Sequence, residues 1–303
     1  MIAQATRRHR FTPTTAVAHG PAARRELWVS PRTVLLLARK ELRDSLRNRW
    51  FVTYTAAFAV LAIGLAYLSR VGTAMSGFAG FGATAASLVN LVLLIVPLMG
   101  LTIGAAAIAP ERERGTLAYL LAQPISRAEL FLAKYLGLAA ALAGSLAIGF
   151  GVSAFALAHG SDPRQVRLFL TLVALAVVLG LAMLSVGMLI STLARRPAAA
   201  TGAAIMAWLL IVFVGDLGLM GSAVLFRLRA SSLLLASIAN PAQCFKIAVI
   251  GSYDATLDVL GPAGLYASNT FGTALMPVLF ACLAAWVVLP LVTALGLFLR
   301  RPL

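Results

Sequence analysis

Charge is what this chain has least of. Ten acidic and 25 basic residues stand among 303, 12% charged in all, about half the share of a soluble globular protein. Cysteine occurs twice, at Cys244 and Cys282, far apart in the chain and without a CxxC spacing or a nearby histidine. Neither a disulfide framework nor a zinc site is signalled. The only histidines are His9, His19 and His159, and no HExxH occurs, so metalloprotease chemistry fails on ligand count. No lysine follows a glycine anywhere, so a G-x-x-x-x-G-K-[ST] loop is absent and ATP cannot be held in the P-loop manner. No His or Lys lies in the middle of an apolar run to act as a buried base for a serine hydrolase. A non-catalytic chain is expected. No apolar run precedes residue 27, so a cleavable signal peptide is not expected either.

What is abundant is apolar surface. Hydrophobic residues make up 61% of the chain and the mean hydropathy is +0.93, too apolar for a surface facing water, so the bilayer is the expected solvent. Six apolar stretches lie near residues 51–69, 86–109, 131–158, 168–193, 199–226 and 273–299. A span needs about 20 residues; five exceed that and the first is just long enough. The fold class predicted is an all-α membrane protein with six transmembrane helices. The formal charge of +15 is not taken for a nucleic-acid signal, because basic residues in such a chain already fix topology.

Residues 1–31 are polar, basic and broken by Pro13, Gly20 and Pro21, and read as a flexible tail. Ser30-Pro31 reads as an N-cap with proline at the first helical position. The helix expected over 32–49 is amphipathic, with Leu35, Ala38, Leu42 and Leu46 on one stripe and Arg39, Lys40, Arg43 and Arg47 away from it; Glu41 lies among them. Its place before the first span suits a helix lying in the membrane interface. Nineteen of the 25 basic residues fall on the side of the N-terminus, the loops after spans two and four, and the C-terminus. That side is predicted to be cytoplasmic, with both termini on it. The loop over 227–272 is then outside, and its stretches SLLLASIANPAQCFKIAVIG and LGPAGLY are expected to lie against the outer membrane face or dock a partner.

Between spans two and three stands APERERGTLAYLLAQPISR, Ala109 to Arg127. Leu117, Leu120 and Leu121 fall on one side of a short helix over about 115–123, which Pro124 ends. Ser126 and Glu129, spaced S-x-x-E, form a capping box that restarts a helix. Two readings stay open on spacing alone. One is an interhelical turn with a snorkelling charge cluster; the other is a cytoplasmic helix that presses apolar knobs into a groove on a soluble partner.

ERERGTLAYLLAQPISRAELFLAKYLG resembles the E-x-x-x-G-T-L-x-x-L-L-x-x-P-[IVL]-S-R signature of ABC-2 type transporter permeases, and ARKELRDSLRNRWF resembles their opening helix. The likeness covers about residues 32–303. Through ARKELRDSLRNRW, VGDLGL, Asn240-Pro241 and LGPAGLY it is greatest to the branch that serves maturation of the copper-dependent nitrous-oxide reductase. The resemblance implies a homodimer in the bacterial inner membrane with two ABC ATPase subunits beneath it. ATP and Mg would be held in those partner chains, with no cofactor in this one. It implies that the short helix is the coupling helix, with Glu111, Glu113, Gly115, Thr116, Leu117, Leu120, Leu121 and Pro124 as contact residues. A periplasmic partner at the outer loop and copper as cargo of the system follow from the same likeness. The alternatives are an ABC-2 exporter of lipid or drug and a non-transporting scaffold.

Three features remain ambiguous. Asp216 is the one acid inside an apolar run; it lines a dimer cavity or is a helix-end charge at the headgroups. Asn240 and Pro241 are candidates for coupling through the outer loop. The methionines show no MxxM pattern, and Cys244 is the best single soft ligand for copper. Gly137, Gly144, Gly149, Gly151, Gly180 and Gly187 are expected to permit close helix packing, within or between protomers.

Overall fold

A computed structural model describes residues 30–76, 81–157, 163–215, 237–252 and 274–300. Asp216, the basic tail up to residue 29 and LGPAGLY lie outside the described residues. In chain order the helices are α1 (Pro31–Leu46), α2 (Arg49–Ser76), α3 (Phe81–Ala105), α4 (Ala109–Glu113), α5 (Thr116–Leu121), α6 (Arg127–Leu157) and α7 (Pro163–Leu193). Then come α8 (Pro197–Leu209), which runs into a π turn at Leu210–Val214, α9 (Pro241–Ser252) and α10 (Leu275–Arg300).

Among the described residues five helical stretches are long and apolar enough to cross a membrane: Leu88–Glu113, Arg127–Ala154, Val166–Leu193, Pro197–Val214 and Leu275–Arg300. A shorter apolar stretch, Phe51–Gly64, lies in α2. Five such helices plus a shorter one is the observed count, against the six full-length spans expected. The difference falls on the first stretch, which the sequence already makes the shortest.

The centre of the bundle is α7, which packs against α3, α6, α8, α9 and α10. Without a hydrophobic force between helices in lipid, close backbone approach has to supply the packing. Glycines provide it. A Cβ on Gly100 would stand 2.7 Å from the Gly180 carbonyl, and one on Gly104 2.5 Å from that of Leu184. From the other side, a Cβ on Gly187 would stand 2.5 Å from the Leu101 carbonyl. Gly137 does the same for α6 on α1, where a Cβ would lie 2.6 Å from the Ala38 carbonyl. Gly149 lies under the Phe58 ring, which meets Phe150 edge-on at 5.2 Å; Phe150 meets Phe169 at 5.9 Å. Close approach at Gly137, Gly149, Gly180 and Gly187 is therefore within one chain. Gly144 and Gly151 have nothing within 4 Å of a built Cβ.

Two expectations need correction here. The buried face of α1 is Val34 and Ala38, with Leu37 partly buried, packed on Ala133 of α6. Leu35 and Leu46, assigned to the apolar stripe, are exposed. In a chain with a bilayer around it, apolar periodicity does not separate a face on protein from a face on lipid. The second concerns the outer stretch. Far from lying loose, α9 is buried along Pro241, Ala242, Cys244, Phe245, Ile247, Ala248 and Val249, packed on α7 and α10.

The α3–α7 crossing should not tolerate a methyl group. Gly187→Ala is expected to cost about 2 kcal/mol or more through forced separation of the two backbones, read as a lower melting temperature of the detergent-purified chain. Gly144→Ala, into open space, should leave it unchanged.

Candidate coupling site

The chain turns sharply between α3 and α5, and α7 supplies the turn's hydrogen bonds. Where α3 ends at Ala105, the helix-end carbonyl and the next free N–H groups need partners. Ser191 of α7 provides them: its Oγ donates to the Ala105 carbonyl at 2.7 Å and accepts from the N–H groups of Ile108 at 3.0 Å and Ala109 at 2.9 Å. The Gly104–Gly187 approach brings Ser191, one turn further along α7, within that reach. Arg112 of α4 returns the bond, donating to the Thr192 and Ala194 carbonyls at the end of α7 at 3.2 and 3.1 Å, where a cation also suits the helix dipole. Gly115 then takes φ +73°, a left-handed turn cheap only for glycine, and α5 leaves in a new direction.

Beneath the turn lies a buried charge. Lys134, in the second turn of α6, is 2% exposed, and its ammonium donates to Glu41 Oε1 of α1 at 2.9 Å and to Glu111 Oε1 of α4 at 2.6 Å. Two carboxylates around one ammonium satisfy a cation that would otherwise be costly to bury. Three elements far apart in sequence are thereby tied at one point. Glu111 Oε2 has no hydrogen-bond partner.

A second carboxylate works beside it. The expected capping box forms: Glu129 N–H donates to Ser126 Oγ at 3.1 Å, and Glu129 Oε2 accepts from the Ser126 N–H at 2.8 Å. Its other oxygen accepts from the Ser30 N–H at 2.7 Å. Ser30 stands at the start of α1 as expected, but its side chain makes no cap bond; its backbone is held by Glu129 instead.

Residues 35–303 match the ABC-2 family transporter protein family. The chain belongs to the ABC-2 transporter family. It is similar to two proteins described as probable ABC transporter permease protein NosY. One, from Stutzerimonas stutzeri, is 33% identical over 271 residues, 88% of this chain and 97% of that protein. The other, from Pseudomonas aeruginosa, is 33% identical over 276 residues, 89% of this chain and 99% of that protein. The chain is thus a permease subunit of an ABC transporter, a multi-pass, non-catalytic membrane subunit that works with a separate ABC ATPase.

In this ABC-2 permease the residues expected to make a coupling helix separate into two groups. The helix is shorter than expected, Thr116–Leu121, and Pro124 follows it by three residues. Leu117 is buried at 1% exposure, and Leu120 and Leu121 pack against the same core. These leucines face inward and hold the helix to its own bundle. Glu111 faces inward too, on Lys134. Glu113, Gly115, Thr116 and Pro124 are exposed, with the Thr116 hydroxyl donating to the Glu111 carbonyl at 3.2 Å. The large apolar side chain on the open face is Tyr119, 72% exposed. Arg39, Lys40, Arg43 and Arg47 of α1 are exposed, whereas Glu41 turns inward. Asn240 and Pro241 serve α9: Asn240 Oδ1 accepts from the Ala242 N–H at 2.9 Å, and Pro241 takes the first helical position. The Asn240 amide donates to the Ile211 carbonyl at 2.7 Å, inside the π turn.

The sequence reading missed Lys134 and Tyr119. Lys134 had a signal, since it is one of three lysines and stands between apolar residues, but it was counted only as a topology charge. Tyr119 had none beyond lying opposite the leucines.

Breaking the buried cluster should be worse than neutralising part of it. Lys134→Met leaves two carboxylates facing each other and is expected to destabilise the chain by about 3 kcal/mol. Lys134→Met combined with Glu41→Gln and Glu111→Gln should recover most of that. Thermal melts of the three purified chains decide it.

Proposed function

We propose that α4 and α5 form the coupling element of this permease, and that an ABC ATPase subunit grips the face carrying Tyr119. The observation that carries this reading is the opposition across α5. Leu117 anchors it in the core, while Tyr119, Glu113 and Thr116 stand open. A short helix anchored on one side and open on the other passes a push from outside into the bundle. The cluster of Glu41, Lys134 and Glu111 stiffens its base, and Ser191 and Arg112 join it to the end of α7. Motion imposed on α5 is thus delivered to α1, α6 and α7 together.

In the full assembly, two copies of this chain pair and two ATPase subunits bind ATP and Mg beneath them. Each copy crosses the bacterial inner membrane six times, α2 serving as the first crossing, with both termini cytoplasmic and α1 lying in the interface. The domain runs from 32 to 303, preceded by a basic tail. The open apolar faces of α8 (Met206, Leu210, Val214) and α10 (Val288, Leu289, Val292), all at least half exposed, suit lipid or a second copy. Likeness over nearly the whole length to proteins described as NosY supports a role in maturing the copper enzyme nitrous-oxide reductase. The outer segment would pass force to a periplasmic partner, with copper as cargo of the system.

Two substitutions on the same short helix test the coupling role. Tyr119→Asp is expected to leave the chain inserted and its melt unchanged, while the ATPase no longer co-purifies and its stimulated hydrolysis falls by about tenfold or more. Leu117→Asp should instead lower the melting temperature of the permease itself. An ATPase that stays bound and active with Tyr119→Asp makes α5 only a turn.

A further inference from the structure

The two cysteines, 38 residues apart in sequence, meet in space. Cys244 Sγ of α9 lies 3.2 Å from Cys282 Sγ of α10. Both sulfurs also reach the Ile238 carbonyl, at 3.2 Å from Cys244 and 3.0 Å from Cys282. Both are free thiols; Cys244 is fully buried and Cys282 partly exposed. The contact sits where α9 is pinned to the bundle, four residues after the Asn240 clasp on the π turn.

We propose that Cys244 and Cys282 are a redox site, the two halves of a reversible intrachain disulfide that fastens α9 to α10. The sulfurs need to close by only about 1 Å to reach bonding distance. They are held by packed helices, so the second step is intramolecular and pre-oriented. A soft metal ion between two thiolates would need the sulfurs to move apart, since each metal–sulfur bond is about 2.3 Å; that makes the disulfide the better fit.

The oxidant class is a peroxide. Cys282, the partly exposed sulfur, attacks as thiolate. An S–O bond forms, the O–O bond breaks, and the released hydroxide leaves as water with the proton Cys282 gave up. The Cys244 sulfur then attacks the sulfenic sulfur. The S–S bond forms, the S–O bond breaks, and a second water leaves with the Cys244 proton. Two thiols and one peroxide give one disulfide and two waters. Burial pushes the Cys244 thiol up, with the neighbouring Cys282 sulfur adding to the effect. Cys244 is accordingly the resolving thiol and not the first nucleophile.

The test counts thiols by maleimide mass-tagging of the denatured full chain, before and after hydrogen peroxide treatment in detergent. Wild type should lose both tags together, stay monomeric on a non-reducing gel and regain both with dithiothreitol. Cys244→Ala and Cys282→Ala should each lose their single reducible tag about tenfold more slowly. Loss at the same slow rate in all three chains overturns the proposal. So does loss through a chain–chain dimer, or loss that dithiothreitol does not reverse. Protection of both thiols by silver ion, combined with resistance to peroxide, would assign the pair to a soft metal instead. Whether the pair meets an oxidant in cells rests on the outward placement of this segment proposed above. The thiol count on purified protein does not, so the two readings fail separately.

Discussion

A single ammonium group decides how the cytoplasmic end of this permease is put together. Lys134 is closed off from solvent between Glu41 and Glu111, and a charge in that position has little freedom. It must keep its carboxylates or leave the interior. Because the two carboxylates come from residues 93 positions before and 23 positions before it, the requirement fixes where α1 and α4 lie against α6. The Gly137 approach of α6 to α1 and the shared carboxylate of Glu129 act on the same pair of helices. Electrostatics sets the place, and small residues let the backbones reach it.

The turn after α3 depends on that placement. A helix that ends inside protein must have its last carbonyls and the next N–H groups matched. Here one serine hydroxyl on a neighbouring helix serves a carbonyl and two N–H groups at once, which is possible only because Gly104 and Gly187 let α3 and α7 nearly touch. The arginine that follows caps the neighbouring helix in return. The charged stretch in the middle of an apolar chain is thus mostly internal structure: Glu111 and Arg112 face partners within the chain, and Glu113 is left open.

Local chemistry was legible and long-range pairing was not. The capping box at Ser126 and Glu129 follows from a four-residue spacing, and the structure forms it. The glycines at 180 and 187 announce close packing, but their partners Gly100 and Gly104 are visible only once α3 is laid against α7. Leu117, Leu120 and Leu121 were rightly placed on one face of a short helix. Periodicity states that a face exists and not what it faces, so the inward turn of those leucines had no signal. The same limit explains α1, where Leu35 and Leu46 have the spacing of a buried stripe and are exposed. Nothing in the spacing of Cys244 and Cys282 indicates that α9 folds back onto α10.

The π turn at the end of α8 holds one more residue per turn than an α-helix would. It is therefore the trace of an insertion accommodated without unwinding the helix. Removing one residue between Leu210 and Val214 would restore α-helical register and turn everything beyond it by about 100°. Gly215, which now lies against the Asn240 side chain, would swing away, and the Ile211 carbonyl would be reclaimed by its own helix. The asparagine at the start of α9 thus acts as a gauge of length: the clasp closes only on a chain with that extra residue.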